Sequence, residues 1–437
     1  MSLRFDLGAL RTVTTAALVL TFIAIPSAVL GQALPWAQPE QVGMSSERLE
    51  RLDRRFDDYA QAGELSGGVI MVARRGHLVH ERAFGLRELE SGAAMRPDDL
   101  FRIASQTKAV VSVAAMILIE EGRLLLNDPV SRYLPAFEST TVEEEDGSVV
   151  PASRPITIRD LLTHTAGVGY GRSPSWEAAG IQGWYLADRS EPVRATVDRM
   201  AALPFRAHPG ERWIYGYSTD ILGAVLEVAA EAPLDRLLAD RLFEPLGMHD
   251  TAFYVDPSDS DRLTTVYASS PDGVVRAPDG GGMQAQGQYV DGPRTSLSGG
   301  AGLVSTASDY LRFLQMLLNG GELDGNRILA PSSVDLMTRD HVGDARDLPG
   351  EGFGLGFSVL EDPGAAGQFA SEGRFSWGGA YHTTYWVDPA QELVVVYMTQ
   401  LLPARLDDHQ RLAALVYQSI LESGAASGRE STPGSEE

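Results

Sequence analysis

The stretch Ser105-Gln106-Thr107-Lys108 follows a short apolar segment and opens a long apolar run that continues to residue 122. The run predicts a helix over 105–122 that begins at the serine. Residues three positions apart share a helix face, so the lysine amine can approach the serine hydroxyl. A serine is a weak nucleophile until a base takes its proton, and a buried lysine can serve as that base near neutral pH. The spacing therefore indicates a serine nucleophile paired with a lysine base.

Lys108 is the only lysine in a chain of 437 residues, in which every other basic residue except histidine is an arginine. Arginine stays protonated and cannot replace a lysine that acts as a base. The alternative interpretation is that Ser105 caps the helix and that Lys108 is a solvated residue of its first turn. The survival of one lysine at this position favours catalysis. The backbone N–H of Ser105 would then lie at the positive end of the helix dipole, where it can stabilise an oxyanion.

The composition is that of an ordinary globular chain, with 44% hydrophobic and 22% charged residues. The length predicts one large or two medium domains with an ample core. The absence of cysteine excludes disulfides, thiolate catalysis and cysteine-based zinc sites. A formal net charge of −23 disfavours nucleic acid and anionic lipid as partners.

Other catalytic chemistries lack their motifs. No serine has glycine at both −2 and +2, as the nucleophile elbow of an α/β-hydrolase requires. The eight histidines form neither a His-Glu-x-x-His motif nor a cluster with metal-ligand spacing, and the glycine-rich segments lack the lysine of a phosphate-binding loop. We therefore expect neither a metal ion nor a cofactor.

Residues 1–33 are typical of an export signal. Arg4 and Arg11 flank its start, residues 16–25 are an apolar run, and Pro26 ends that run before a series of small residues. The run is nearer the roughly 10–14 residues of a signal core than the roughly 20 of a membrane-spanning helix. We predict a signal peptide and a periplasmic or secreted protein, with an uncleaved N-terminal anchor as the alternative.

Hydrophobic periodicity predicts further elements along the chain. Helices are expected over 45–62, 158–162, 192–203, 220–230, 234–242, 308–319 and 404–421. Strands are expected over 68–73, 77–84, 354–360, 380–387 and 391–399, and exposed loops over 141–148 and 256–294. Strands near both ends of the chain predict an α+β fold with one antiparallel sheet formed from both chain ends.

We predict one domain over 34–421, followed by a disordered tail over 422–437. Within the domain, an α/β lobe would comprise residues 45–104 and 300–421. An inserted, mainly helical lobe would comprise residues 105–299. A cleft between two such lobes is the natural place for a site.

The Ser-x-x-Lys motif resembles that of the serine β-lactamases and penicillin-binding proteins. Further stretches resemble class C β-lactamase-like proteins: NDPVSRYLP at 127–135, ITIRDLLTHTAG at 156–167, FEPLGM at 243–248 and GAGLVST at 300–306. The resemblance extends from about residue 44 to residue 421 and implies a β-lactamase/transpeptidase-like fold. His164, in the second stretch, is expected to support a loop away from the nucleophile rather than act as a base.

The resemblance also implies a catalytic tyrosine within Trp213-Ile214-Tyr215-Gly216-Tyr217. In the esterase branch of the family, Trp-x-Tyr is followed five residues later by Asp and then by a Leu-Gly pair. That register selects Tyr215, which would share proton transfer with Lys108. Tyr217 would then fill the place usually held by a substrate-binding asparagine. Tyr217 as the catalytic tyrosine, or as aromatic packing against the cleft wall, remains an alternative.

The third motif of the β-lactamases, Lys-Thr-Gly, corresponds here to Trp377-Gly378-Gly379. The resemblance implies that Trp377, Gly378 and Gly379 contact substrate, with the two glycines letting it approach the strand backbone. The N–H of Ala380 would be the second oxyanion donor, beside that of Ser105. The alternative is an ordinary bulge before a strand, with Trp377 in the core.

Trp-Gly-Gly at this place resembles the family VIII carboxylesterases. Trp377 and Tyr217 stand where β-lactamases use a lysine and an asparagine to hold the drug, which should favour uncharged esters over β-lactams and peptides. The resemblance thus implies an exported serine hydrolase that acts on short-chain or aryl esters, without a metal, a cofactor or a stable membrane partner. A β-lactamase, a D-amino-acid peptidase and a non-catalytic binding relative are the alternatives.

Overall fold

A computed structural model of the chain describes residues 33–171, 173–181, 183, 185–186 and 190–422. The predicted signal, apart from Ala33, and the predicted tail, apart from Glu422, lie outside the described residues. Within those described residues, no helix has the length and apolar character that crossing a bilayer requires.

The secondary structure alternates between helices and short strands. The helices are α1 Ser46–Gln61, α2 Thr107–Glu120, α3 Ile158–Leu162, α4 Pro174–Ala178, α5 Val193–Met200, α6 Ser218–Ala230, α7 Leu234–Leu238, α8 Glu244–Leu246, α9 Ala307–Leu318, α10 Pro331–Met337, α11 Pro363–Ala366 and α12 Asp408–Tyr417. The strands are β1 Gly67–Arg74, β2 His77–Glu88, β3 Ala93–Ala94, β4 Phe101–Arg102, β5 Thr141–Glu143, β6 Val149–Pro151, β7 Tyr267–Ser270, β8 Gly273–Arg276, β9 Val304–Ser305, β10 Glu322–Leu323, β11 Asn326–Arg327, β12 Glu351–Phe353, β13 Ser358–Leu360, β14 Phe375–Gly378, β15 Thr384–Asp388 and β16 Leu393–Met398.

The central sheet joins the two ends of the chain. Its eight strands lie in the order β12-β13-β14-β15-β16-β1-β2-β3, and neighbouring strands are antiparallel. β1 pairs with the late strand β16, with Val69 opposite Met398, and with β2 across the tight turn at Arg75-Gly76. The predicted α+β fold with an antiparallel sheet formed from both chain ends is confirmed.

Both faces of the sheet are covered, because alternate residues of β1 and β16 point to opposite sides. Ile70 and Tyr397 belong to a core with residues of α1 and α12 on the outer face. Val69, Met71 and Val396 belong to a larger core on the inner face, which includes α2 and α9. α6 packs on α2, so the inner core continues into the helical region.

Two segments that we predicted as exposed loops contain regular structure. Residues 141–148 include β5 and lead into β6, with which β5 forms a hairpin. Residues 256–294 contain the β7–β8 hairpin, and its first residue, Tyr267, is buried against residue 401. Gln286 binds the backbone of Val266 through both its amide oxygen and its amide nitrogen. The abundance of Asp, Pro and Gly in the second segment therefore marks tight turns, although most of the segment is exposed or half-buried as predicted.

The strands of the C-terminal third also differ from the prediction. The segment predicted as one strand over 354–360 is instead the end of a turn followed by β13, and Gly356 within it has φ +97. The strand predicted over 380–387 begins only at Thr384, so Ala380 lies in a turn. β14, which carries Trp377, was not predicted as a strand. Short strands separated by glycine turns lack the alternating run on which a sequence prediction depends.

The N-terminus of α9 holds a buried carboxyl group whose ionisation affects stability. Burial raises the pKa of Asp309 to about 6, although Thr251 donates a hydrogen bond to its carboxylate. The folded protein therefore holds this proton more tightly than the unfolded chain, and stability falls as pH rises from about 4 to about 6.

We expect Asp309→Asn to remove this pH dependence. Between pH 4 and pH 6, the free energy of unfolding of the wild type should fall relative to that of Asp309→Asn by up to about 3 kcal/mol. Denaturant unfolding of both proteins from pH 4 to pH 7 measures this difference. A difference that is constant over this range, or that grows in favour of the wild type, contradicts the assignment.

Candidate active site

Ser105 lies in a tight turn just before α2 rather than in the helix itself. A single 3-10 turn, Ala104–Gln106, precedes the first α-helical residue, Thr107. Ala104 has φ +42, a left-handed conformation that is unfavourable for a residue with a side chain. Only 8% of Ser105 is exposed. The predicted helix start is therefore corrected by two residues, but Ser105 and Lys108 still meet across the first turn.

Lys108 occupies the centre of the site, with 2% of its surface exposed. Its Nζ donates to the carbonyl of Gly300 at 2.7 Å and to the hydroxyl of Tyr170 at 3.2 Å, and it lies 3.4 Å from Ser105 Oγ. The same nitrogen lies 4.7 Å from the ring centroid of Tyr215. These contacts exclude the solvated first-turn lysine that the sequence left open.

Asp220 positions Gly300, the residue whose carbonyl accepts a hydrogen bond from Lys108. Its carboxylate is buried and accepts hydrogen bonds from Ser298 Oγ at 2.6 Å and from the Gly300 N–H at 3.1 Å. Burial raises the pKa of Asp220, and the nearby charge of Lys108 opposes that rise. In the sequence, Asp220 only helped to select Tyr215. In the structure, it is a buried residue that positions the groups around Lys108.

Tyr215 is held by two aromatic neighbours. Trp377 Nε1 donates to the Tyr215 hydroxyl at 3.1 Å, and the ring of Tyr170 packs edge-on against Tyr215 with centroids 5.6 Å apart. Burial, together with the neighbouring Tyr215 and Asp220, raises the pKa of Tyr170 well above its ordinary value, so Tyr170 is a neutral hydroxyl. The structure thus brings Ser105, Lys108, Tyr215 and Trp377 together.

Tyr170 is a site residue that was not predicted from the sequence. It lies in Gly167-Val168-Gly169-Tyr170-Gly171, directly after a stretch used only for the family resemblance. An aromatic residue between glycines was the one available signal, and it is too common to assign a role. The contact with Lys108 depends on tertiary structure that brings residues 62 positions apart together.

The structure places Tyr217 elsewhere than predicted. Tyr217 is fully buried, stacks on Trp176 with centroids 6.0 Å apart, and donates from its hydroxyl to the Gly183 carbonyl. It therefore lies behind the ring of Tyr170, in the core, instead of on a surface that a substrate could touch. The aromatic packing role, which was one alternative, is the one the geometry fits.

His164 lies closer to the site than the sequence indicated. It is buried, and its ring packs on Tyr215 with centroids 4.8 Å apart. Burial, with the charges of Lys108 and Arg346, lowers the pKa of His164 well below its ordinary value. A neutral ring in this place supports Tyr215 by packing.

The Trp377-Gly378-Gly379 segment ends β14 and enters the turn that contains Ala380. A side chain at Gly379 would collide with the carbonyl of Ile103, two residues before the serine. Gly379 is thus needed for the turn to pack against the chain that leads to Ser105, and its contact with substrate stays a prediction. Ala380 is half-buried in the turn.

A cation, Arg346, borders the aromatic rings of Trp213 and Trp377. The guanidinium of Arg346 lies 5.0 Å from the ring of Trp213 and 5.9 Å from that of Trp377. It is bound to Ser358 Oγ at 2.8 Å and to Glu351 at 3.0 Å. The charge is therefore already compensated by protein groups.

A cavity of about 440 Å³ opens beside the two tyrosines. Four of its ten lining residues are aromatic, and one acidic and one basic residue also line it. The lining includes Tyr170, Tyr215, Trp176, Phe205, Glu143 and Arg206. The cavity reaches the catalytic cluster at the rings of Tyr170 and Tyr215, and its lining residues do not include Ser105 or Lys108.

Among the described residues, one group brings three potential metal ligands together. Ring or carboxylate atoms of His382, Asp408 and His409 lie within 4.8 Å of one another. The two imidazole rings are stacked, with centroids 4.0 Å apart, and His382 Nε2 is bonded to Asp408. Stacked rings do not direct their nitrogens to a common point, so we assign these residues a hydrogen-bonding role.

The fold and the Ser105–Lys108 pair define a serine hydrolase of the β-lactamase/penicillin-binding-protein fold. The sequence model of the Beta-lactamase family matches residues 52–418, so the chain belongs to that family. Esterase EstB from Burkholderia gladioli is 35% identical over 366 residues, covering 80% of this chain and 89% of that protein. Lovastatin esterase from Penicillium rubens is 30% identical over 384 residues, covering 78% and 90% of the two chains.

A solved structure also shows the likeness to this family of hydrolases. The structure of EstCE1, described as a hydrolase with promiscuous acyltransferase activity, superposes with a TM-score of 0.75 at 30% identity, and the match covers 86% of this chain and 98% of that one. The family resemblance that the sequence motifs indicated is confirmed.

Proposed function

We propose that this serine hydrolase is an exported carboxylesterase that acts on short-chain or aryl esters through an acyl-enzyme at Ser105. The observation that carries the proposal is the position of Lys108, whose buried amine contacts both the serine hydroxyl and a tyrosine hydroxyl. The similarity to two esterases, EstB and lovastatin esterase, supports an ester substrate.

In the proposed reaction, Ser105 Oγ attacks the ester carbonyl while its proton passes to Lys108 or Tyr215. The N–H groups of Ser105 and Ala380 stabilise the oxyanion. The carbon–oxygen bond to the alcohol then breaks, and Tyr215 or Lys108 protonates the departing oxygen. Water attacks the acyl-enzyme, gives up its proton to the same base, and releases the carboxylic acid and free Ser105.

The aromatic surroundings support a preference for uncharged esters. Trp377 and Tyr215 are half-buried and line the approach to Lys108, and the nearby Arg346 is already paired with Glu351. A substrate carboxylate would find no uncompensated cation among these residues. The aromatic rings of the cavity beside Tyr170 can pack against an acyl or aryl group, and Arg206 also lines that cavity.

A substrate panel tests the proposal. Purified mature protein is assayed with p-nitrophenyl butyrate, with nitrocefin and with a D-alanyl-D-alanine peptide. We expect turnover of the ester to exceed that of the other two by at least about 100-fold in kcat/KM, a difference of about 3 kcal/mol. Faster turnover of nitrocefin or of the peptide would favour the β-lactamase or peptidase alternative, and inertness toward all three would favour the non-catalytic one.

Export is a separate part of the proposal and rests on the pattern of residues 1–33. Expression of the full chain in a bacterium, followed by fractionation and N-terminal sequencing, tests it. We expect mature protein outside the cytoplasm with an N-terminus near residue 32 or 34. Uncleaved protein in the membrane fraction would favour the anchor.

We expect Trp377→Phe to slow turnover about 10-fold, because it removes the hydrogen bond to the Tyr215 hydroxyl. Trp213→Phe is a matched control. Trp213 stacks on the same tyrosine with centroids 5.7 Å apart, but its Nε1 has no hydrogen-bond partner among the described residues. Steady-state hydrolysis of p-nitrophenyl butyrate by both variants makes the comparison. Equal losses would mean that the indole acts only by packing.

A further inference from the structure

The turn that carries Ala380 is held by side chains that lie outside the catalytic cluster. Within the turn, the Gly379 N–H donates to the Thr383 carbonyl at 2.8 Å and the His382 N–H donates to the Gly379 carbonyl at 3.0 Å. These bonds close a tight loop around Ala380 and Tyr381. One side of the loop is held by Tyr381, which is fully buried and accepts from the Leu401 N–H at 3.0 Å, and the other side by His382.

His382 connects the turn to α12. Its Nε2 donates to Asp408 Oδ1 at 2.7 Å, and Asp408 is fully buried at the start of that helix. The second carboxylate oxygen of Asp408 accepts from the Tyr397 hydroxyl at 3.0 Å. His409 Nε2 donates to the His382 carbonyl at 3.2 Å. The side chain and the main chain of His382 are therefore both bound by the same corner of the fold.

The backbone of His382 is strained. Its φ is +68, in the left-handed region that glycine adopts freely and other residues do not. Strain of this kind persists only where the surroundings compensate for it, and it concentrates at functional sites. A glycine would satisfy the backbone here at no steric cost, so the presence of histidine points to a use for its side chain.

The charges in this corner are consistent with a permanent anchor. Burial raises the pKa of Asp408, but the bond from His382 and the other neighbours outweigh burial and hold the pKa below its ordinary value. Burial lowers the pKa of His409 to about 4, so its stacked ring is neutral at neutral pH. The carboxylate is thus ionised and bonded to His382 over the working range of an esterase.

We propose that His382 and Asp408 are positioning residues whose hydrogen bond fixes the 379–383 turn and thereby aims the Ala380 N–H at the oxyanion. This inference rests on the proposed function, in which Ala380 is an oxyanion donor. Loss of one such donor costs about 10²- to 10³-fold in kcat in other hydrolases. A donor that is misplaced rather than removed should cost less, about 10- to 100-fold.

The test compares replacements of His382. His382→Ala and His382→Gly both remove the anchor. His382→Gly also relieves the backbone strain, which offsets part of the cost of leaving Asp408 Oδ1 without its partner, and thermal unfolding checks that each variant is folded at the assay temperature. His382→Gln keeps a neutral N–H donor with similar reach to Asp408. We expect His382→Ala and His382→Gly to lower kcat for p-nitrophenyl butyrate about 10- to 100-fold with KM changed less than about 3-fold, and His382→Gln to stay within about 3-fold of the wild type. His249→Ala, at an exposed histidine, is the control and should match the wild type.

The same variants are also measured by their rate of covalent labelling with a fluorophosphonate, which needs the serine and the oxyanion donors but no particular ester. A parallel fall in labelling supports the inference even if p-nitrophenyl butyrate is a poor substrate. Failure of the wild type to be labelled at Ser105 would instead refute the proposed function. Wild-type rates in His382→Gly would overturn the inference, and so would equal losses in His382→Gly and His382→Gln.

Discussion

Ser105→Ala is expected to reduce hydrolysis of p-nitrophenyl butyrate by at least about 10³-fold, to the background of the uncatalysed reaction. The hydroxyl is the only group that the proposed reaction uses to form the acyl-enzyme, so no neighbouring side chain can replace it. The substitution removes one oxygen from a residue that is 8% exposed, so the fold should tolerate it. Initial rates of the two purified proteins, at matched concentrations, give the comparison.

Ser112→Ala is the matched control for this result. Ser112 is also a buried serine of the α2 segment, but its Oγ faces Gly356 rather than Lys108. We expect its activity to stay within a few-fold of the wild type. If Ser105→Ala retains full activity, another serine is the nucleophile and the assignment is wrong.

Lys108→Arg is expected to lower kcat by about 10³- to 10⁴-fold while the protein stays folded. Arginine keeps the positive charge but cannot release its proton, so it cannot act as a base. Its guanidinium is also too large for a site in which Nζ lies 2.7 Å from the Gly300 carbonyl and 3.2 Å from the Tyr170 hydroxyl. Thermal unfolding of the variant separates a loss of chemistry from a loss of fold. Near-wild-type kcat in a folded Lys108→Arg protein would remove the base from the mechanism.

Because Lys108 is the only lysine, its amine can be observed without ambiguity. Protein labelled with ¹⁵N-lysine contains one lysine side-chain signal. Modification of Ser105 by a fluorophosphonate should shift that signal, since Nζ lies 3.4 Å from Oγ. In Ser105→Ala the reagent should leave the signal unchanged. An unshifted signal in modified wild-type protein would contradict the contact.

Local sequence was sufficient for the parts of the site that depend on spacing along one turn. Ser105 and Lys108 lie three residues apart, so any helical or 3-10 turn brings them to one face. The sheet from both chain ends was likewise predictable from strongly apolar strands near each end. The exact start of α2 was not, because the strained Ala104 is fixed by the chain around it rather than by its own preference.

The rest of the site depends on contacts between distant segments. Tyr170 reaches Lys108 from a loop 62 residues away, and Asp220 supports Gly300 from 80 residues away. Contacts between residues so far apart along the chain leave no recognisable pattern in a single sequence. Tyr217 was predicted to bind substrate because it stands two residues after Tyr215, where related proteins have an asparagine. In the structure, its hydroxyl instead donates to the Gly183 carbonyl in the core.

The turn at Ala380 also could not be predicted from local sequence. An apolar and aromatic segment favoured a continuous strand over 380–387, but the left-handed backbone of His382 and its bond to Asp408 hold a turn there. The sequence contains the histidine and the aspartate 26 residues apart, with no sign that they meet. Tertiary bonds outweighed local β preference at this point.

The most direct test of the account is to trap the acyl-enzyme. Wild-type protein mixed with p-nitrophenyl butyrate is quenched in acid within the first turnovers, digested and analysed by mass spectrometry. We predict one butyryl group on the peptide that contains Ser105, and none in Ser105→Ala. Turnover without any adduct, or an adduct on a different residue, would contradict the claim that Ser105 is the nucleophile of this site.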